Sequence, residues 1–109
     1  MIKVKFFVNK PKGKIEVTVK GHANAAEKGE DLICAGASVL SLTLLQVFRT
    51  MENMEFFNTK IRANVKEGYT KLVCSPKTEY YDTVLNSVVT IKTGFDVLCT
   101  MYPDFIEFE

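Results

Sequence analysis

Residues 15–34 have the sequence IEVTVKGHANAAEKGEDLIC, which joins a strand-like segment to the start of an apolar helix. Apolar residues alternate with polar ones over residues 15–20, the period of two that is typical of a half-buried β-strand. Gly21 ends this strand, and a small, polar segment follows it. Asp31 can cap the next helix, because a carboxylate accepts hydrogen bonds from the unpaired N–H groups of a first helical turn. This stretch therefore predicts a strand, a loop and a helix that ends near Met51.

The segment before this stretch predicts a β-hairpin. Apolar residues alternate with polar ones over residues 2–9, and residues 10–13 have the turn sequence KPKG. Proline presets φ and glycine tolerates a positive φ, so this turn can return the chain antiparallel to its first strand. Residues 15–20 then form the second arm of the hairpin.

The segment after the apolar helix predicts a second hairpin and a second helix. Residues 61–66 alternate between apolar and polar side chains, and residues 69–75 form the returning arm after a Glu-Gly turn. From about residue 79 to residue 102, apolar side chains recur at steps of three and four, as on one face of an α-helix. Pro103 ends that helix, because proline cannot continue the hydrogen-bond ladder.

A short last strand over residues 104–109 completes the element order ββαββαβ. Strand pairs followed by single helices predict an α+β fold of two layers, in which a mostly antiparallel sheet packs against two long helices. No repeat or low-complexity tract divides the 109 residues, so we expect one domain that covers residues 1–109.

The composition restricts the class of protein. Apolar residues make up 47% of the chain and charged residues 25%, as in soluble globular proteins. A formal net charge of +1 argues against direct electrostatic binding of nucleic acid. Three widely spaced cysteines form no disulfide framework, and the N-terminus has no secretory signal, so we expect a cytoplasmic protein.

Residues 32–48 carry no charge and must be considered as a membrane span. The segment is at the short end for crossing a bilayer, which takes about 20 apolar residues, and several polar residues interrupt it. Asp31 and Arg49 bound it tightly. We therefore expect no membrane association, but a buried helix that a second subunit partly covers.

His22 and Cys34 are the candidate catalytic residues. His22, the single histidine, follows the strand, and Cys34 falls in the first turn of the predicted helix. In a first turn, the unpaired N–H groups and the positive end of the helix dipole stabilise a thiolate. An imidazole within reach can take the thiol proton, which makes the pair a candidate nucleophile and general base. Cys74 and Cys99 lack this setting, and we expect both to be packing residues.

The sequence does not decide the roles of the residues around the thiol. Ser38 lies one helical turn after Cys34, where its hydroxyl either contacts the catalytic pair or bonds back to a helix carbonyl. Gly36 and Ala37 are equally compatible with close approach of a substrate and with tight helix packing. One histidine and no Cys-x-x-Cys pair predict neither a metal site nor a cofactor.

The chain resembles the ribosomal-processing cysteine proteases, the Prp family. The family pattern is Gly-His-Ala and, after a short loop, Asp-Ile-Val-Cys-Ala-Ala-Val-Ser. Here the matching segments are GHA at residues 21–23 and DLICAGAS at residues 31–38. The substitutions at Gly36 and Ala37 affect the expected shape of the substrate groove rather than the chemistry. The length, the element order and the apolar first helix also match, so the resemblance covers essentially the whole chain.

The resemblance implies a cysteine endopeptidase in which Cys34 is the nucleophile and His22 the general base. Gly21, Asp31 and Ser38 would support the site. The implied substrate is the N-terminal extension of a large-subunit ribosomal protein, cut after paired aromatic residues. The implied assembly is a homodimer, and we expect neither a bound membrane nor direct contact with nucleic acid.

The resemblance also implies a mobile loop over the site, which corresponds to residues 23–30. We therefore predict a gate that includes Ala23, Asn24, Gly29 and Glu30, with Gly29 as its hinge. Backbone N–H groups at the helix start are expected to stabilise the oxyanion.

Two functions from other classes compete with proteolysis. One is a non-catalytic, ribosome-associated binding module, in which Cys34 is only a packed thiol. The other is a thiol redox sensor, although the sequence places no resolving cysteine near Cys34.

Overall fold

The computed structural model describes residues 1–23 and 28–109, with the backbone alone for residues 28–31. Two short 3₁₀ turns, Lys10–Lys12 and Thr78–Tyr80, accompany the regular elements. The predicted element order is confirmed, with these bounds: β1 (Ile2–Asn9), β2 (Lys14–Lys20), α1 (Lys28–Asn53), β3 (Arg62–Lys66), β4 (Tyr69–Cys74), α2 (Tyr81–Met101) and β5 (Ile106–Phe108).

The strands form a five-stranded sheet in the order β3-β4-β2-β1-β5. The pairs β3–β4, β4–β2 and β2–β1 are antiparallel, and β5 pairs in parallel with β1. The sheet is therefore mostly antiparallel, as the sequence predicts. Both predicted hairpins are present. In addition to its hairpin partner β3, β4 pairs with β2 of the first hairpin. This pairing brings the β3–β4 turn to the same end of the sheet as the C-terminal end of β2.

One face of the sheet forms the core with the two helices. The alternating residues Val4, Val17 and Leu72 of three adjacent strands are buried on this face, as the period of two requires. Helix α2 covers β1, where the rings of Phe6 and Phe95 meet edge to face at 5.8 Å. Helix α1 lies over β4. The fold is thus the two-layer α+β arrangement predicted from the alternation and the helical periodicity.

Two glycines let α1 and α2 approach each other closely. A Cβ atom on Gly94 of α2 would lie 2.6 Å from Leu40 Cδ2, and one on Gly36 of α1 would lie 3.2 Å from Leu98 Cδ2. At each glycine, a leucine side chain of the opposite helix therefore occupies the space that a larger side chain would need. Of the two explanations left open for Gly36, tight helix packing is the one that this geometry supports.

Helix α1 begins earlier than the sequence predicts. It starts at Lys28, so Asp31 lies within the helix, and the prediction that Asp31 is its N-cap is wrong. The sequence predicts Gly29 in a loop, but this residue also lies in the helix. A glycine costs a helix about 1 kcal/mol relative to alanine. A helix of 26 residues with a packed face tolerates that cost.

Two segments, Leu32–Asn53 and Thr78–Met101, are long and apolar enough to cross a membrane by length and composition. Core helices of soluble proteins also have these properties. In this structure Phe48 of α1 and Phe95 of α2 are completely buried against the rest of the core. That both helices belong to a core and not to a membrane remains our expectation.

The core predicts a clear stability difference between two helix positions. Phe48 is 0% exposed and its ring meets Phe57 edge to face at 5.8 Å, so Phe48→Ala should lower the free energy of unfolding by about 3–5 kcal/mol. Val89→Ala, at a side chain that is 50% exposed, should change it by less than about 0.5 kcal/mol. Urea unfolding followed by circular dichroism measures both. Equal losses for the two variants would contradict this description of the core.

Candidate active site

Immediately before His22, the end of β2 is hydrogen-bonded to the β3–β4 turn. Gly21 has φ +99°, and its backbone N–H donates to the carbonyl oxygen of Gly68 at 2.8 Å. A Cβ atom at Gly21 would collide with the carbonyl oxygen of Met1. Position 21 therefore requires glycine both for its backbone conformation and for the close approach of the neighbouring chain.

The imidazole of His22 rests on the backbone of Gly68. A Cβ atom at Gly68 would lie 2.7 Å from His22 Nε2 and 3.0 Å from Cε1, so the ring occupies the space that a side chain would need. The His22 residue is solvent-exposed, whereas the next residue, Ala23, is buried. His22 therefore lies at the surface, with its ring against the β3–β4 turn and its backbone held by the buried residue that follows it.

Helix α1 supplies the thiol. Ile33 is completely buried and Ala37 nearly so, which fixes the rotation of the helix about its axis. Cys34 is half-buried beside this core-facing row, and Ser38 follows it one turn later. The hydroxyl of Ser41, a further turn along, donates to the carbonyl oxygen of Ala37 at 2.8 Å.

A cleft of about 300 Å³ lies between α1 and the β3–β4 turn. His22 lines it from the end of β2, and Cys34 and Ser38 line it from α1. The structure thus brings the predicted catalytic pair to one cavity, together with the predicted supporting residues Gly21 and Ser38. The side chain of Asp31 lies outside the described part of the chain, so its supporting role stays a prediction.

The opposite wall of the cleft was not predicted from the sequence. Val65, which is 45% exposed, lines it together with Gly68 and Tyr69, while Leu42, which is 50% exposed, lines the cleft from α1. Val65 lies on the helix-covered face of the sheet but stays exposed, because β3 is an edge strand. The Glu-Gly turn was visible in the sequence, but no local signal indicated that it packs against His22. That contact depends on the pairing of β4 with β2.

A sequence model of the family described as cysteine protease Prp matches residues 1–107 of this chain. The chain belongs to this family. As a member of the Prp family it is a cysteine peptidase, and the competing class of non-catalytic binding modules is not supported. No curated protein matches the chain in a sequence search.

Solved structures share the fold over the full length of the chain. One is the essential ribosomal processing protease Prp from S. aureus in complex with a substrate peptide, with a TM-score of 0.73 and 21% identity. The match covers 100% of this chain and 98% of that one. Another is SMU.848 from Streptococcus mutans, with a TM-score of 0.71 and 21% identity, covering 100% of this chain and 92% of that one. At these identities the similarity concerns the fold.

The start of α1 changes the expected electrostatics of the site. Because the helix begins at Lys28, Cys34 lies in its second turn rather than in its first. A backbone N–H in the second turn donates to the carbonyl four residues earlier and is not free. The prediction that Cys34 lies among the unpaired N–H groups of the first turn is therefore wrong, while stabilisation of the oxyanion by backbone N–H groups stays a prediction.

The other two cysteines of the peptidase lie in settings that favour the protonated thiol. Cys74 is buried on β4, and this burial raises the pKa of its thiol to about 12. On α2, burial raises the pKa of Cys99, and the carboxylates of Asp96 and Glu107 raise it further. Neither residue is among those that line the cleft. Both observations agree with their predicted role as packing residues.

Half of the predicted gate, residues 24–27, falls on residues that the structure does not describe. Asn24 lies outside the described residues, while Gly29 and Glu30 belong to α1. Ala23 is buried in the core, which disfavours its movement with a gate. Its side chain packs with apolar residues whose exposure to water would cost free energy. Gating by the remaining residues stays a prediction.

Among the side chains that the structure describes, those of residues 1–23 and 32–109, no group of three or more histidine, cysteine, aspartate or glutamate residues is placed to hold a metal ion. The groups that the cleft offers for chemistry include the thiol, the imidazole and the hydroxyl of Ser38, and Lys66 and Glu67 also line it. These groups suit nucleophilic catalysis at a carbonyl carbon.

The raised pKa of Cys74 predicts a loss of stability at alkaline pH. The unfolded thiol releases its proton near pH 9.0, whereas the folded one holds it until about pH 12. The contribution of the buried neutral thiol is therefore complete below pH 9.0 and is lost as the pH rises toward 12. The free-energy difference between wild type and Cys74→Ala should shrink between about pH 7 and about pH 10.5 in urea unfolding. A difference that stays constant over this range would contradict the burial of this thiol.

Proposed function

We propose that the chain is an endopeptidase in which Cys34 is the nucleophile and His22 the general base. The observation that carries the proposal is that these two side chains, from the end of β2 and from α1, line the same cleft. The alternative cysteines are disfavoured because their surroundings raise the pKa of both thiols. Membership of a cysteine protease family agrees with a thiol nucleophile.

In the proposed reaction, His22 takes the proton of the Cys34 thiol, and the thiolate sulfur attacks the carbonyl carbon of the scissile peptide bond. The tetrahedral intermediate collapses as the imidazolium gives its proton to the leaving amine, which leaves an acyl-enzyme thioester. His22 then takes a proton from water as the water attacks the thioester carbonyl. The acid product leaves, and the proton returns to the sulfur.

Ser38 is proposed to support this pair. It is exposed on the cleft side of α1, one turn after Cys34. Ser41 differs because its hydroxyl is buried and is already donated to the carbonyl of Ala37. Ser38 therefore offers a hydroxyl near the thiol, while Ser41 stabilises the floor of the cleft.

The proposed substrate is the N-terminal extension of a large-subunit ribosomal protein. Leu42 on α1 and Val65 on β3 give the cleft two exposed apolar side chains, which suit apolar or aromatic side chains of a peptide. A fold-level relative, the ribosomal processing protease Prp from S. aureus, has been solved with a covalently linked product peptide, at 22% identity to this chain. Both observations support a peptide that lies along the cleft.

The proposed assembly is a cytoplasmic homodimer. Leu32 and Val39 are exposed seven residues apart on one side of α1, and Val97 and Met101 are exposed four residues apart on one side of α2. Exposed apolar rows of this kind are typical of surfaces that a partner covers. A second copy of the chain would bury them without a change of fold.

The assignment of the nucleophile is tested by cleavage of a peptide that copies the ribosomal-protein extension. Cys34→Ser should lower the rate by at least about a thousandfold, because the hydroxyl is a far poorer nucleophile than a thiolate. His22→Ala should lower it by about 10²–10⁴-fold, the usual contribution of a general base. Mass spectrometry of the two fragments measures the rate.

The matched control is Cys99→Ser, which makes the same atomic change on α2 away from the cleft residues and should keep nearly full activity. All three variants should unfold at temperatures close to that of the wild type. Substantial cleavage by Cys34→Ser would rule out Cys34 as the nucleophile.

A further inference from the structure

Gly68 in the β3–β4 turn contacts the histidine segment in two ways. Its carbonyl oxygen accepts the N–H of Gly21 at 2.8 Å, which fixes the backbone just before His22. Its Cα faces the imidazole so closely that a Cβ atom would lie 2.7 Å from Nε2, 3.0 Å from Cε1 and 3.4 Å from Cδ2. The turn therefore holds both the backbone and the ring of the proposed base.

We propose that Gly68 is a positioning residue, whose missing side chain leaves room for the His22 imidazole against the β3–β4 turn and so sets the position of the ring relative to the thiol. The inference rests on the proposed function, in which His22 is the general base. Gly68 itself touches neither the thiol nor the reacting bond in this account. It acts through the ring that lies against it.

The magnitude of the effect follows from the contact distances. A real Cβ essentially never lies within 3.0 Å of another heavy atom, so any side chain at position 68 must push the ring away by several tenths of an ångström. Proton transfer requires heavy atoms within about 2.6–3.2 Å of each other. Misplacement of a reacting group by about 1 Å can cost a factor of about 100 in rate.

Gly13 provides a matched control for the backbone strain. It has φ +65°, close to the φ +71° of Gly68, and a Cβ atom there would meet nothing within 4 Å. It lies in the β1–β2 turn, at the other end of β2 from His22. Seven residues of strand separate the two ends, about 23 Å at 3.3 Å per residue. Alanine therefore introduces a similar strain at both positions, but only at Gly68 does it meet the imidazole.

The experiment compares Gly68→Ala with Gly13→Ala in three measurements: kcat and KM for the extension peptide, the melting temperature, and the NMR signal of the imidazole Hε1 proton. The chain has one histidine, so that signal belongs to His22 without further assignment. We expect both variants to lose the same few degrees in melting temperature. Relative to Gly13→Ala, Gly68→Ala should lower kcat by about 10- to 100-fold, with a smaller change in KM, and should shift the Hε1 signal.

Equal kcat values for the two variants, or an unshifted Hε1 signal in Gly68→Ala, would overturn the positioning role. If alanine prevents folding, Gly68→Asn and Gly13→Asn repeat the comparison with a residue that tolerates positive φ but still carries a Cβ. The proposed function has a separate test. If His22→Ala keeps the wild-type kcat, His22 is not the general base and the proposed function is wrong. A failure of positioning alone leaves His22→Ala inactive while Gly68→Ala and Gly13→Ala cleave at the same rate.

Discussion

The burial of one face of the sheet against two helices is the constraint on which the rest of the structure depends. The alternation in β1, β2 and β4 sends every second side chain to that face, so α1 must lie across it. Ile33 and Leu44 are completely buried on α1 and fix its rotation. Cys34 then has to lie at the side of the helix, next to the end of β2 where His22 emerges. The cleft is a consequence of how the core is packed.

Much of this arrangement could be predicted from the sequence because the relevant signals are local. The period of two in residues 15–20 and the helical period in residues 79–102 predict the elements and the buried faces. The pairing of β4 with β2 is not a local property, since it depends on how two hairpins meet across a helix. For that reason the contact of Gly68 with His22 could not be predicted, although both residues stood out in the sequence.

The start of α1 shows a second reason why a prediction from the sequence fails. Asp31 has the side chain of a good N-cap, and the residues before it include a glycine, so the local pattern favours a helix that begins at Asp31. The structure continues the helix back to Lys28, because packing of a long helix outweighs the preference of one glycine. This change moves Cys34 into the second turn, where free backbone amides no longer surround the thiol. The partner imidazole then becomes the main element of the proposed activation.

The most direct test of the central claim is to map the covalent adduct formed by a peptide chloromethyl ketone that copies the residues before the cleavage site. In this account the inhibitor binds in the cleft between Leu42 and Val65, and its reactive carbon alkylates the sulfur of Cys34. Peptide mapping by mass spectrometry should find a single adduct, on Cys34, and its formation should be much slower in His22→Ala. An adduct on Cys74 or Cys99, or activity lost with Cys34 unmodified, would contradict the account.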